Sequence, residues 1–442
     1  MDKGNNQQGD CLQEPFSRIA YKMHLLLQVG KALMESGADT DRTVRDMRRA
    51  AAYMGIPQER IHQHTMYTTL MLNVNDYQHS YTEFCKCKNH GVNMTTLSAV
   101  SKLTWKALAR NYTLESFERH LLRIHGIPRD YTVGQTALGA GAACGGFAVL
   151  FGGSLLDFLL TAICACFGFY VRRLCNAYAF NQYAAIAITA FAATMLAWAA
   201  QFPLGELHWY PLIACPLFLV PGIPLINAID DFLNNFIVSG LTRAIHTLLV
   251  VGSMTFGIVL AIRLGNVADF TEVSLSPHSL YFAQAIAAAI SAMGFSIIFN
   301  VPRRLLPVVG VGGVITVMLR NFCVMELGTS QAFGSFLGAA VVGVMALKAI
   351  HVFHTPNVVL TIPSAIPMIP GVLLYRLLFA LLNISTITPA ALLDGLRSGV
   401  EAVIIIIGIA VGVAIPNIFN HRHIETVKQK RVARLLALRD ED

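Results

Sequence analysis

Beyond residue 132 the sequence runs through about ten apolar stretches, each near the roughly 20 residues a helix needs to cross a bilayer core. They fall at 133–151, 153–171, 180–200, 207–226, 237–262, 278–299, 305–325, 329–350, 357–381 and 396–418. Hydrocarbon offers no water to satisfy peptide groups, so each stretch is expected to be a helix that bonds internally. Composition agrees: 55% hydrophobic and 13% charged residues, with a mean hydropathy of +0.54, lie far from the roughly quarter-charged norm of soluble domains. Charged side chains crowd instead into residues 1–131 and the tail from 420.

The first 131 residues read as a soluble head. Residues 17–37 carry Ile19, Met23, Leu26, Leu27, Leu33 and Met34 at helical spacing before Ser36-Gly37. A second helix starts near Asp39 or Thr40 and stops at Gly55-Ile56-Pro57. IHQHTMYTTLMLNV and SYTEFCKCK, rich in Thr, Tyr and β-branched residues, predict a hairpin turning near Asn75-Asp76. Helices are expected again at about 93–109 and 114–125, the latter capped by Thr113 and closed by Gly126. His62-x-His64 with Cys85-x-Cys87 and His90 supplies soft ligands on neighbouring strands, but zinc sites space their ligands more widely, so no metal is assigned. No nucleophile elbow or phosphate loop stands out, and no cofactor is called for.

The N-terminal MDKGNNQQGDCLQEP has no apolar core behind a basic region, so no cleaved signal peptide is expected and the head is placed in the cytoplasm. Arg172-Arg173, Arg303-Arg304 and Lys348 then fall in inner loops, while Glu206, Asp269, Glu272, Glu326 and Asp394 fall outside, as the positive-inside rule asks, with Arg263 and Arg397 as exceptions. An even number of spans returns the tail to the cytoplasm. That tail reads as an amphipathic helix on the anionic leaflet or as a solvated polar helix. The net charge of +7 is explained by topology, and no nucleic-acid partner is implied. The nine cysteines are scattered and suggest no disulfide framework.

The membrane region repeats itself. Gly146-Phe147 followed by Phe151 recurs as Gly294-Phe295 followed by Phe299, an offset of 148. Pro221-Gly222 recurs as Pro370-Gly371, an offset of 149, and Ser239-Gly240 recurs as Ser398-Gly399. With five spans per copy, the second copy enters the membrane inverted, the plan of many secondary transporters. The expected fold is a mainly α-helical polytopic membrane protein: about ten transmembrane helices as two inverted five-helix repeats, preceded by a small α+β cytoplasmic domain. The divisions are a head at 1–131, repeats at 132–265 and 266–419, and a basic tail at 420–442.

Each copy carries a break. Pro221 and Pro224 in LVPGIPLINAIDD, and Pro367 and Pro370 in IPSAIPMIPGVLLYR, should interrupt their helices, with Gly222 and Gly371 letting the backbone turn. A water-filled chamber lined by freed amides is expected between them, with a positive helix end at each Pro-Gly suited to a carboxylate. Polar groups near lipid depth supply the other candidates: Asn227 and Arg243 for the cargo, and Asp157, Asp231 and Asp230 for a coupling proton, with His246 nearby. Asp230 and Asp231 also read as markers of a span end, with Arg243 as their partner, and Arg320, Arg376 and Glu401 as topology residues.

PGIPLINAIDDFLNNFIVSGLTRA, with ESGADTDRTVRDMRRAAAYMG and HGVNMTTLSAV, resembles the N-terminal half of the threonine/serine exporter family. GFSIIFNVPRRLL and TPNVVLTIPSAIPMIPGVLLYR resemble its C-terminal half, a separate subunit in split relatives linked to succinate export. The resemblance implies export of threonine and serine driven by the proton motive force across the cell (inner) membrane. It places Pro221, Gly222, Pro224, Asn227, Asp231, Gly240 and Arg243 on the family pattern, leaves Asp230 off it, and adds Asn300, Pro302, Pro367, Pro370, Gly371 and Tyr375. The expected partners are a small carboxylate-bearing cargo, protons and the lipid bilayer, with a homo-oligomer left open. Two alternatives stand beside this: a C4-dicarboxylate exporter, and a membrane-anchored enzyme or sensor acting through the head.

Overall fold

The computed structural model describes residues 10–75, 79–110, 112–205, 208–265, 281–353, 355–384 and 387–440, with side chains between 18 and 415 apart from Leu204, Ile350 and His351. The chain divides into two compact units. One gathers 1–128 with 231–242 and 420–442; the other holds 129–230 and 243–419.

The first unit is built on α1 (Asp10–Met34), α2 (Thr40–Tyr53), the antiparallel strands β1 (Ile61–Thr65), β2 (Thr69–Asn75) and β3 (Ser80–Lys86), and helices α3 (Met94–Arg110) and α4 (Leu114–His125). α1 stops ahead of Gly37, whose φ of 88° is cheap only for glycine. Asp39 then caps α2 by accepting the Arg42 N–H at 2.6 Å, and Thr113 does the same for α4 through Ser116. The expected hairpin is three strands, because IHQHTMYTTLMLNV folds back on itself where the Met66 N–H meets the Thr69 carbonyl. β2 lies between β1 and β3, so the His62/His64 and Cys85/Cys87 pairs are not on neighbouring strands. Asp76, named for the turn, lies outside the described residues. Leu70, Leu72 and Val74 of β2 alternate into the core, the two-residue period of a half-buried sheet.

In the second unit α5 (Val133–Leu150), α6 (Leu155–Ala177) and α7 (Gln182–Ala199) precede α8 (Trp209–Ala214), which tightens into a 3-10 turn through Leu219. α9 (Gly222–Leu233) and α10 (Ile237–Leu264) follow, their adjoining ends belonging to the first unit. The same order then recurs: α11 (Tyr281–Ile298), α12 (Leu306–Met325), α13 (Gln331–Phe353), α14 (Val358–Ala365) with a 3-10 turn through Met368, α15 (Gly371–Leu382) and α16 (Pro389–Asp440). Among the described residues eight helices are long and apolar enough to cross a membrane, and two bent pairs raise this to ten. The chain is a multi-pass membrane protein. α16 starts at Pro389, ahead of the expected 396, and continues through the basic tail to Asp440.

The repeat is visible bond by bond. α5 closes with N–H bonds from Phe151 to Phe147, Gly152 to Val149 and Gly153 to Ala148; α11 closes with Phe299 to Phe295, Asn300 to Ile297 and Val301 to Ser296. The left-handed residue of each cap is Gly152 (φ 106°) and its counterpart Asn300 (φ 55°). α5 and α11 also pack on each other through glycine. A Cβ on Gly146 would meet the Ala287 carbonyl at 2.8 Å, one on Gly139 would meet Ile297, and one on Gly294 would meet the Gly139 carbonyl at 2.5 Å. As one helix advances the other retreats, so α5 and its counterpart α11 run antiparallel. A two-fold axis lying across the helices produces that arrangement, and in a membrane it is an inverted repeat.

Candidate functional site

The two breaks come together on this axis. α8 with its 3-10 turn meets α9 at 59°, and α14 with its turn meets α15 at 55°. At each corner proline withholds an N–H, and the remaining peptide groups are satisfied by a short turn of the same design. The Val220 N–H bonds Leu217 and the Gly222 N–H bonds Val220 at 2.9 Å; the Ile369 N–H bonds Ile366 and the Gly371 N–H bonds Ile369 at 2.9 Å. Pro370, at φ −83° and ψ 58°, has the geometry of an inverse γ-turn.

A small cavity separates the corners, lined by Phe147, Leu217, Val220 and Gly222 and by Phe295, Ile366, Ile369 and Gly371. The second four are the repeat counterparts of the first four at the offsets of 148 and 149. Contact across the axis is reciprocal: a Cβ on Gly222 would meet Ile369 and Ile366 at 2.6 and 2.8 Å, and one on Gly371 would meet Leu217 and Val220 at 2.9 and 3.3 Å. Phe147 packs edge-on against its own counterpart Phe295, with centroids 5.8 Å apart, as only residues beside a two-fold axis can. The space is of the order of one water molecule and its lining is apolar. Between these corners, among the described residues, the lining is apolar rather than the expected wet, amide-lined chamber: the γ-like turns use the freed peptide groups, and Leu217, Val220, Ile366 and Ile369 cover the corners.

Of the sequence candidates, Gly222 and Gly371 line the cavity, with Pro221 and Pro370 at the corners beside them. Asn227 and Arg243 are buried, at 2% and 1% exposure, outside the lining, and Asp230 is half-buried. Tyr375, one turn into α15, is buried with its hydroxyl 3.6 Å from the Met254 sulfur. Asn300 sits at the end of α11, where its Oδ1 accepts the Asp130 N–H at 2.9 Å. Asp231 is held within the first unit. Its Oδ1 accepts the Thr40 N–H and its Oδ2 the Thr40 hydroxyl, both at 2.9 Å, while the Thr40 and Ser239 hydroxyls share a 2.8 Å bond. A carboxylate at the first turn of α2 is where the helix dipole favours one. Thr40→Ala is expected to lower unfolding free energy by about 1.5–3 kcal/mol, because it removes a hydrogen bond to a charged acceptor; thermal unfolding of the full chain against Thr40→Ser measures it.

Asp157 is in the first turn of α6, 3% exposed. Its Oδ2 accepts the Ser154 N–H and hydroxyl at 2.7 and 2.8 Å, and its Oδ1 lies 2.8 Å from His208 Nδ1. The His208 N–H is in turn held by Gln201 Oε1 at 2.6 Å. Sequence reasoning missed His208, a lone histidine in a polar connection with no spacing to betray its partner 51 positions away.

Comparison with known proteins follows this architecture. A family model described as putative threonine/serine exporter matches residues 24–265, and a second, threonine/serine exporter, matches 284–419. The chain belongs to the threonine/serine exporter family. The two exporter models meet between α10 and α11. It is 24% identical over 383 residues to a threonine/serine exporter of Corynebacterium glutamicum, covering 84% of this chain and 78% of that protein. It is 30% identical over 190 residues to the probable succinate transporter subunit YjjP of Escherichia coli K12, covering 40% of this chain and 70% of that protein. No solved structure matches. The threonine/serine exporter family is one of membrane transporters.

Proposed function

We propose that the chain is a secondary active transporter exporting threonine and serine across the cytoplasmic (inner) membrane, driven by the proton motive force. The observation that carries this reading is the pairing of counterpart residues around the cavity. A two-fold site with interchangeable halves can swap which half is closed, the basis of alternating access in inverted-repeat carriers. α9 and α15 begin at the cavity with their positive ends, while the turns ending α8 and α14 bring negative ends. A zwitterionic amino acid complements both.

Arg303 supports an inner placement for one set of helix ends. Its guanidinium bonds the Asp130 carbonyl at 2.6 Å and Gln135 at 3.0 Å at the start of α5, beside Arg304, so positive charge gathers at that end and the head follows it into the cytoplasm together with the tail. Counterflow in proteoliposomes loaded with threonine tests the function; uptake of labelled threonine that is indifferent to internal threonine would defeat it. The second reading, export of a C4-dicarboxylate, is favoured by the similarity to a probable succinate transporter subunit and by two positive helix ends suited to two carboxylates. Succinate competing where threonine does not would select it.

For proton coupling the pair Asp157–His208 is the better candidate, since Asp231 is occupied by Thr40. Asp157→Asn keeps the Ser154 cap while removing the ionisable group. It is expected to preserve counterflow within about twofold and to lose accumulation driven by a pH gradient; accumulation equal to wild type would remove Asp157 from the coupling path.

A further inference from the structure

α6 and α12 are counterparts, and their buried faces coincide at several positions at the offset of 148. Thr161, Cys164, Gly168 and Cys175 on α6 correspond to Val309, Gly312, Thr316 and Cys323 on α12, all on the inward stripe of their helix. Arg172 and Arg320 occupy the same place on that stripe, four residues beyond Gly168 and Thr316, and both are half-buried. The neighbouring Arg173 is exposed. Each arginine lies five residues short of its helix end, at Ala177 and at Met325. Because the copies are inverted, those ends face opposite sides of the membrane.

No ion pair to either arginine is found among the described residues. Arg320 Nε and Nη2 donate to Asn321 Oδ1 at 3.1 and 3.0 Å, and Asn321 Nδ2 donates to Gln284 Oε1 at 2.5 Å. The Gln284 Nε2 atom, on a side chain only 1% exposed, has no acceptor among the described residues. The cluster thus carries a positive charge and a spare buried N–H donor with no anion to take them. A guanidinium on the inward stripe of a membrane helix is costly unless something pairs with it. A snorkelling arginine would instead sit on the lipid-facing side, as Arg173 does.

Resting on the transporter reading above, we infer that Arg172 and Arg320 form a matched pair of carboxylate-binding positions, one toward each mouth of the pathway, which hold the cargo's carboxylate before and after it crosses. At the Arg320 mouth Asn321 holds the Nε/Nη2 edge of the guanidinium, so the Nη1 side supplies the N–H donors and Gln284 Nε2 another for a carboxylate. The Arg172 mouth has Thr136 at the place of Gln284, with its hydroxyl already committed to the Thr132 carbonyl. Release and capture at the two faces therefore differ in donor number, with the tighter hold at Arg320.

Arginine-selective labelling with phenylglyoxal, read by peptide mass spectrometry on the purified full chain, tests this without requiring transport. The chain is labelled in phosphate-free detergent micelles with increasing sodium threonine or sodium succinate, using sodium chloride as the ionic-strength control. Labelling of Arg172 and Arg320 is expected to slow about fivefold or more as either carboxylate approaches saturation, with Arg173 unchanged. Gln284→Leu is expected to weaken protection at Arg320 alone. Equal labelling with carboxylate and chloride at both positions, or protection at one only, overturns the inference. So does slow labelling in phospholipid vesicles that owes nothing to added carboxylate, which assigns the arginines to lipid phosphate. Protection without counterflow defeats the transporter reading and leaves the carboxylate positions standing; counterflow without protection does the reverse.

Discussion

Leucine at Gly222 or Gly371 is expected to stop counterflow in a chain that still folds. At both glycines the nearest obstacles to a Cβ are ends of flexible side chains: Ile369 and Ile366 across from Gly222, Leu217 and Val220 across from Gly371. They can yield, so the folded state should lose only about 1–3 kcal/mol to overpacking. The cavity between them holds about one water, so an added leucine occupies the space through which the halves must pass each other. Biasing one closed form by the same energy shifts the conformational balance by about five- to 150-fold, since 1.4 kcal/mol is a factor of ten. Initial counterflow rates should fall by at least that factor while solubilised yield and melting temperature stay close to wild type. The two variants should be equivalent, because the two glycines are. Counterflow at near wild-type rate in both would show that cargo does not use this corner.

Gly294→Leu should do the opposite, removing the fold along with the function. Its Cβ would lie 2.5 Å from the Gly139 carbonyl oxygen and 2.7 Å from the Ala143 nitrogen, both backbone atoms of α5 that cannot rotate away. α5 and α11 would have to separate, breaking the packing that relates one copy to the other. A loss above about 4 kcal/mol is expected, the exceptional end of single substitutions. Fluorescence-detected size-exclusion chromatography should show aggregated or missing protein. A monodisperse, transport-competent Gly294→Leu chain would mean that the α5–α11 interface is not what holds the repeats together.

What the sequence made legible was whatever depends on local chemistry. Pro-Gly breaks a helix wherever it occurs, so the corners at 221–222 and 370–371 could be read, and their equal spacing from the Gly-Phe pairs disclosed the repeat. The caps at Asp39, Thr113 and Gly126 were equally local. The facing of side chains was not legible. Asn227 and Asp231 follow Pro221-Gly222 in sequence, yet neither is in the cavity lining, and Asp231 bonds Thr40 at the first turn of α2, a partner 191 positions earlier. The chamber looked polar in sequence because its closest neighbours in the chain are polar; folded, it is lined by residues drawn from six elements. The split of β1 from β2 was hidden because Tyr67-Thr68-Thr69 carries no Gly, Pro or Asn to mark a turn. Arg320 reads as an ordinary topology residue in sequence, because its correspondence with Arg172 lies in the α6–α12 relation of the repeat and not in its own neighbours.

The most direct test of the account is oxidative cross-linking in membranes of a cysteine-free full chain carrying Gly222→Cys with Ile369→Cys, compared with its repeat mate, Gly371→Cys with Val220→Cys. Two corners meeting on an inverted two-fold axis predict that both pairs form a disulfide with similar yield, that each bond halts counterflow, and that dithiothreitol restores it. Absence of either cross-link, or undiminished counterflow with the corners bonded together, would contradict the claim that cargo crosses where the two broken helices meet.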